Sequence, residues 1–182
     1  MKRRKESAKT SRQSAEQKQF HPSPAEVLAI RKGNKQVIEE TISNFFMLTK
    51  IAAHDVFGFG QDRWERLHRK MLVHMSCIGD KLVTAEEINN EILKPEAKIE
   101  FCPNKEHRKK LNHFGKLEVA VSDDMSTCLA LSLLDEFGYH GKRFGKVYNR
   151  IGEIGHKLWT GEITHHDLIV MSQAIRKKRK AA

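Results

Sequence analysis

Hydrophobic side chains recur at helical spacing along most of the chain. A capped helix start at Ser23 and Pro24 predicts a short helix, which Gly33 and Asn34 are expected to end. Apolar residues then recur every three to four positions from residue 35 to residue 56, which predicts a long amphipathic helix. The segments QDRWERLHRKMLVHMSCIG and AEEINNEIL predict two more helices, the second beginning at a capping box of Thr84 and Glu87.

The same plan recurs when the sequence is shifted by 80 residues. Residues 55–88 align with residues 135–168 without a gap. The matching positions are the apolar, capping and glycine positions that a shared backbone requires. Identities fall at Asp55/Asp135, Phe57/Phe137, Gly58/Gly138, Arg63/Arg143 and Thr84/Thr164. We therefore expect a tandem duplication of one helical unit.

Between the two copies the pattern changes from helical spacing to alternation. Apolar residues alternate with polar ones in KIEF, through Ile99 and Phe101, and again in KLEVAV, through Leu117, Val119 and Val121. Such alternation predicts two short β-strands. The segment CPNKEHRKKLNHFG between them is rich in basic residues and is expected to be an exposed loop.

These patterns predict a mainly α protein. It would contain two tandem helix-turn-helix-like units, a small β element between them and disordered basic tails. The expected divisions are a basic arm at 1–22, a first helical unit at 23–93, a linker with a short hairpin at 94–121, a second helical unit at 122–175 and a basic tail at 176–182.

Composition changes this picture mainly through charge. The 182 residues have a formal net charge of +10. The first 19 residues carry seven basic and two acidic side chains and residues 176–180 carry five basic ones, so the body between the tails is neutral. Basic tails with few apolar residues are typical of segments that engage a polyanion or an acidic partner, and solubility alone is the alternative explanation.

The sequence shows no sign of a membrane or secretory protein. No segment approaches the roughly 18 apolar residues of a membrane span, and the basic start is not followed by the apolar stretch of a signal peptide. Cys77, Cys102 and Cys128 are widely spaced and contain no C-x-x-C motif, so we expect reduced, structural cysteines. A cytoplasmic location is expected.

The candidate binding residues for nucleic acid or a protein partner are basic. On the two predicted second helices they recur at i, i+3 and i+4, so each set shares one helix face. Such faces fit a phosphate backbone or an acidic protein, although a solvated face is an equal alternative. The candidates are Lys2, Arg3, Arg4, Lys5, Arg63, Arg66, Arg69, Lys70, Arg108, Lys109, Lys110, Lys142, Arg143, Lys146, Arg176, Lys177, Lys178, Arg179 and Lys180.

Metal sites and catalysis are disfavoured. The loop before Asp167 has the glycine spacing of a calcium-binding EF-hand but lacks its oxygen ligands, so only loop pairing through Val83 and Ile163 stays open. Cys102 with His107 and His113 falls short of the four ligands of a structural zinc site. The histidines have no acidic cluster with which to hold magnesium, and the sequence contains no phosphate-binding loop or nucleophile elbow. No enzyme activity, metal or cofactor is expected.

The segment HDVFGFGQDRWERL and its partner LDEFGYHGKRFGKV resemble small proteins encoded by phages and prophages of gut Firmicutes. With the basic arm they are similar to a family of phage-encoded Cas9 inhibitors, or anti-CRISPR proteins. The resemblance covers about residues 40–92 and 124–175, and His140 departs from it by replacing the second turn glycine.

That resemblance implies stoichiometric inhibition in the bacterial host cytoplasm without catalysis. The implied partners are a Cas9-type nuclease with its guide RNA and double-stranded DNA, and a homodimer stays open. Two other function classes remain. One is a phage DNA-binding accessory protein for replication, recombination or transcription, and the other is a structural adaptor whose tails only aid solubility.

Overall fold

In the computed structural model, the residues described are 24–92, 109–139 and 141–177. The chain divides into two compact units, 1–33 and 34–182, and residues 24–33 of the first lie in a helix. The helices are α1 (Pro24–Phe57), α2 (Gln61–Gly79), α3 (Ala85–Glu87, followed by a π-helical turn at Ile88–Ile92), α4 (His113–Phe137), α5 (Lys142–Thr160) and α6 (His165–Lys177). The described part of the chain is therefore mainly helical, as predicted.

The predicted second β-strand is wrong. Leu117, Val119 and Val121 lie in α4, which begins at His113 inside the predicted linker. The Asn112 side chain caps this helix by accepting a hydrogen bond from Gly115 N at 2.8 Å. Alternation over five residues also places positions 117 and 121 on one helix face, so the pattern was ambiguous. The predicted first strand, with Ile99 and Phe101, lies outside the described residues.

The predicted break at Gly33 and Asn34 is also wrong, because α1 continues through both residues. A glycine inside a helix costs only about 0.5–1 kcal/mol relative to alanine, which a helix of this length tolerates. Asn34 Oδ1 lies 2.9 Å from His113 Nε2 at the start of α4, and the two form a hydrogen bond.

Described residues between Ile42 and Ile175 form a hydrophobic core in the second unit. Its buried side chains come from corresponding positions of the two halves, because each pair sits on the inward face of its helix. The pairs Leu67/Val147, Met71/Ile151 and Ile88/Leu168 are each at most 1% exposed. Burial of these matching positions is what the 80-residue shift predicts.

Both long helices end in the same left-handed glycine turn. Gly58 has φ 65° at the end of α1 and Gly138 has φ 64° at the end of α4, a region that favours glycine. Gly58 N donates to His54 O at 2.8 Å, and Gly138 N donates to Leu134 O at 2.9 Å. The aligned glycines Gly58 and Gly138 therefore form the same turn in both halves.

Both third helices begin at a capping box. Thr84 N and Thr84 Oγ1 donate to Glu87 at 2.7 and 2.8 Å, and Glu87 N donates back to Thr84 Oγ1 at 3.1 Å. Thr164 and Asp167 form the same three bonds at 2.7, 2.7 and 3.2 Å. These bonds hold the pKa of both carboxyl groups below the usual values. The capping box predicted from Thr84 and Glu87 is thus confirmed.

Candidate nucleic-acid interface

The two glycine turns meet at one place, which we call the paired turns (residues 57–60 and 137–139). The rings of Phe57 and Tyr139 are 4.7 Å apart, and those of Phe59 and Phe137 are 4.8 Å apart. The contact is reciprocal. Phe57 contacts Tyr139, which is the counterpart of Phe59, and Phe59 contacts Phe137, which is the counterpart of Phe57. Among the described residues no β bridge joins the loops of Val83 and Ile163.

One hydrogen bond of the first turn has no counterpart in the second. His54 Nδ1 donates to the Phe59 carbonyl at 3.0 Å and closes the turn over its own helix end. The equivalent position holds Leu134, which cannot donate. The His-Asp start of the first motif therefore has a local structural role.

Three predicted arginines gather over the paired turns. The Arg63 guanidinium lies 5.9 Å from the centre of the Phe59 ring, Arg66 lies 5.4 Å from Phe137, and Arg143 lies 4.8 Å from Tyr139. These distances are within the range of cation–π attraction. The side chains of all three arginines are exposed. We call Arg63, Arg66 and Arg143 the arginine cluster.

Two of the predicted basic residues are neutralised by the other half of the molecule. Arg66 Nε donates to Glu136 at 2.6 Å, and Lys70 Nζ donates to Asp135 at 2.6 Å. The hydrogen bond from Lys70 lowers the pKa of the Asp135 carboxyl, and its partner raises the pKa of Lys70. Lys70 therefore has a structural role, because its charge is paired with Asp135 of the other half.

The arginines at the equivalent helix starts keep their charge available. Arg63 and Arg143 occupy matching positions, and within the described ranges neither forms an ion pair with a carboxylate. Gly60 and Gly141 are the N-cap residues of α2 and α5, and neither helix start has a side-chain cap. Unfilled amide groups and a cationic first turn together favour an anion, although Asp62 reduces this effect at α2.

Arg150 is a site residue that the sequence analysis missed. It donates to Asp55 Oδ2 through Nη2 at 2.8 Å and through Nε at 2.9 Å, and to Glu153 at 2.8 Å. The 80-residue shift places Arg150 on Lys70 and Asp55 on Asp135, so both halves use the same cross-pair. The 80-residue alignment could have identified this pair, because both copies have a basic residue at one position and an acidic residue at the other.

The other predicted basic residues do not join the arginine cluster through any contact described here. Arg69, Lys142, Lys146, Lys109 and Lys110 are exposed, and Arg176 and Lys177 end α6. The remainder lie outside the described residues: Lys2, Arg3, Arg4, Lys5, Arg108, Lys178, Arg179 and Lys180.

The described residues contain no group of three or more His, Cys, Asp or Glu side chains arranged to hold a metal ion. Cys102 and His107 of the weighed zinc set lie outside the described residues. Burial raises the pKa of the Cys128 thiol to about 12, so this thiol stays protonated and unreactive at neutral pH. Of the helices described here, none is long and apolar enough to cross a membrane.

Comparison with known proteins provides no relative from which a function can be taken. No protein-family model matches the sequence, and neither a curated protein nor a solved structure matches it. The paired turns, the arginine cluster and the distribution of charge are therefore the features that bear on function.

Proposed function

We propose that the protein is a non-enzymatic, phage-type inhibitor of a Cas9 nuclease, which binds the guide-loaded effector and double-stranded DNA and blocks target engagement or cleavage. The observation that carries the DNA contact is the arginine cluster over the paired turns. The nuclease as partner rests on the resemblance of HDVFGFGQDRWERL to phage-encoded inhibitors.

The proposed architecture is two tandem helix-turn-helix-like units that share one binding face. The matching glycine turns at Gly58 and Gly138 and the matching capping boxes support this organisation. Arg63 and Arg143 come from opposite units, so each unit contributes one arginine. A duplex backbone, with phosphates at regular intervals, suits such a pair.

Arginine is the side chain that fits this role best. Its planar guanidinium donates two parallel hydrogen bonds to one phosphate, whereas lysine acts as a point charge. Cation–π attraction to Phe59 and Tyr139 would restrict the two guanidinium groups before binding and so reduce the entropy lost on contact. The basic tails add attraction that is independent of DNA sequence.

The charge distribution distinguishes this mode from DNA mimicry. A protein that imitates DNA needs an acidic surface, but here the body is neutral and the excess charge of +10 lies in the tails. Holding DNA beside the effector is the mode that fits this distribution. The arginine cluster fits equally well a phage accessory protein that binds DNA in replication, recombination or transcription, and that is the second candidate.

Duplex affinity measured over a range of salt concentrations tests the DNA contact. Replacing Arg63 and Arg143 with glutamine should reduce the slope of log K against log salt by about 2, because each lost phosphate contact removes about 0.9. Lys157→Gln is the control, since Lys157 is an exposed residue near the end of α5 outside the cluster. An unchanged slope in the double variant, or no duplex binding by the wild type, would contradict the contact.

A cleavage assay with guide-loaded Cas9 separates the two candidates. We expect stoichiometric excess of the protein to block cleavage and the Arg63→Gln/Arg143→Gln variant to block it less. Deleting residues 1–19 and 176–182 should weaken inhibition if the tails contribute. Unchanged cleavage across several Cas9 orthologues, together with intact duplex binding, would reject the inhibitor and leave the accessory protein.

A further inference from the structure

A groove of about 660 Å³ lies between α1, α4 and α5. Its apolar surface includes Phe45, Leu48 and Ile151, which are each at most 6% exposed. Trp159 lines one part of it and is 83% exposed, an unusual state for so large an apolar ring. The groove has no role in the contact with DNA that we propose above.

Two glycines on α5 leave the groove unfilled. Gly152 and Gly155 line it, and a Cβ added to either would meet no atom within 4 Å. The equivalent positions on α2 carry Leu72 and Met75, and Met75 packs against the core. A glycine inside a helix costs about 0.5–1 kcal/mol relative to alanine, and internal packing gives no reason for either one here. Helix positions that carry no side chain allow the backbone of another helix to approach α5 closely.

The charges in the groove identify the class of partner. Glu118 supplies a carboxylate, and among the described residues that line the groove none is Lys or Arg. Nucleic acid needs cationic side chains for its phosphates and would be repelled by the carboxylate. A protein segment with an apolar stripe and one cationic side chain matches both the apolar surface and Glu118.

We propose that this groove binds an amphipathic helix of a protein partner. Apolar side chains of the helix at i, i+3 or i+4, and i+7 would lie on the more accessible apolar residues of the groove, Tyr148, Leu158 and Trp159. Its backbone would approach Gly152 and Gly155, while a Lys or Arg would pair with Glu118. This is the helix-in-groove mode of recognition, in which one helix face fills a hydrophobic channel between two others. Burial of Trp159 at the edge would then contribute to affinity.

Selection from a displayed library of helical peptides of about 15–20 residues, a length at which isolated helices persist, tests the proposal. The bait is the full chain, with Trp64→Phe in the fluorescence measurements so that Trp159 is the single tryptophan; Phe144 is the natural counterpart of Trp64. We expect selected peptides to carry the apolar stripe and a basic residue, and their binding to shift Trp159 emission to the blue.

Gly155→Leu is the blocking variant and Gly145→Leu is its matched control. Both glycines lie in α5 with open space around an added Cβ, but Gly145 does not line the groove. We expect Gly155→Leu to weaken peptide binding at least tenfold and Gly145→Leu to leave it unchanged. Glu118→Gln should weaken the same peptides. Failure to select any peptide that Gly155→Leu weakens, or peptides without a basic residue, would overturn the proposal.

Two further outcomes would assign the groove to a different occupant. If sedimentation shows self-association that Gly155→Leu abolishes, the occupant is a second copy of the chain. If duplex or single-stranded DNA displaces the peptides, the groove belongs to the nucleic-acid surface. Either result would overturn the peptide-helix proposal. Loss of DNA binding by the Arg63→Gln/Arg143→Gln variant should leave peptide affinity unchanged, so this proposal and the proposed function fail separately.

Discussion

The contact between α2 and α4 and the contact between α1 and α5 contain matching ion pairs. They differ in how closely the two helices approach each other. Lys70 pairs with Asp135 across the first contact, and Arg150 pairs with Asp55 across the second. The backbones of α2 and α4 nevertheless run close together, whereas those of α1 and α5 approach closely at few places and leave the groove. Matching ion pairs therefore anchor both contacts, and other residues decide how closely the helices pack.

The side chains that α1 and α4 contribute to the two contacts differ in volume. α1 lines the groove with Phe45 and Leu48, and the equivalent positions of α4 are the smaller Met125 and Cys128, both at most 2% exposed. Smaller side chains let two helices approach, while larger ones keep them apart. Two halves with matching sequence patterns can thus keep the same turns and caps while one of the two helix contacts is more open.

The largest expected effect is overpacking of the close contact. Cys128→Leu introduces the residue found at the equivalent position of α1 and should destabilise the protein by about 1–3 kcal/mol, because the buried site has no room for it. Ser122→Leu on the same helix should cost less, since Ser122, although only 3% exposed, lines the groove. Chemical denaturation measures both. An equal or larger loss for Ser122→Leu would contradict the comparison.

Acid should weaken the half that contains α2 more than the other half. Burial lowers the pKa of His68 and of His74, although Asp135 opposes the shift at His74 and Lys70 adds to it. A lowered pKa contributes stability above the unfolded value of about 6.5, and this stability is lost as the pH falls through the folded value. The unfolding free energy should therefore fall between about pH 7 and pH 5.

Exchanging these histidines for their counterparts checks the pH dependence. The equivalent positions of α5 are Tyr148 and Ile154, and neither tyrosine nor isoleucine as a residue type ionises ordinarily between about pH 5 and pH 7. The double variant His68→Tyr/His74→Ile should flatten the fall in unfolding free energy between about pH 7 and pH 5, as measured by urea denaturation at each pH. An unchanged slope would show that other groups cause it.

The smallest expected effect is a gain in stability on α5. Gly145→Ala should raise the unfolding free energy by about 0.5–1 kcal/mol, because alanine loses less backbone entropy in a helix. An added Cβ at this position meets no atom within 4 Å, so the gain should not be offset by a clash. Thermal unfolding followed by circular dichroism measures it. A lower melting temperature would contradict the open space at Gly145.

The sequence predicted the features of the fold that depend on near neighbours. The turn at Gly58 and the box of Thr84 and Glu87 involve residues within a few positions, so residue type alone decides them. The start of α4 was predicted wrongly because five alternating residues fit a strand or a helix, and only the Asn112 cap and distant packing decide between the two. At Gly33 a local breaking signal was too weak to interrupt a long helix.

The candidate site was only partly predictable for a related reason. The basic character of Arg63 and Arg143 follows from the sequence, but their gathering depends on contact between turns 80 residues apart. Partners for Lys70 and Arg66 come from the other half, which periodicity along one helix does not show. The groove could not be predicted from the sequence. It depends on the absence of side chains at Gly152 and Gly155 and on the distance between α1 and α5.

The paired turns also determine when the chain can complete its fold during synthesis. Phe57 and Phe59 leave the ribosome well before Phe137 and Tyr139, the rings that cover them. At about 5–20 residues per second, the first turn waits roughly 4–16 seconds for the second. During that interval its rings are exposed apolar surface in a nascent chain. The first half is therefore the part of this protein that we expect chaperones to bind.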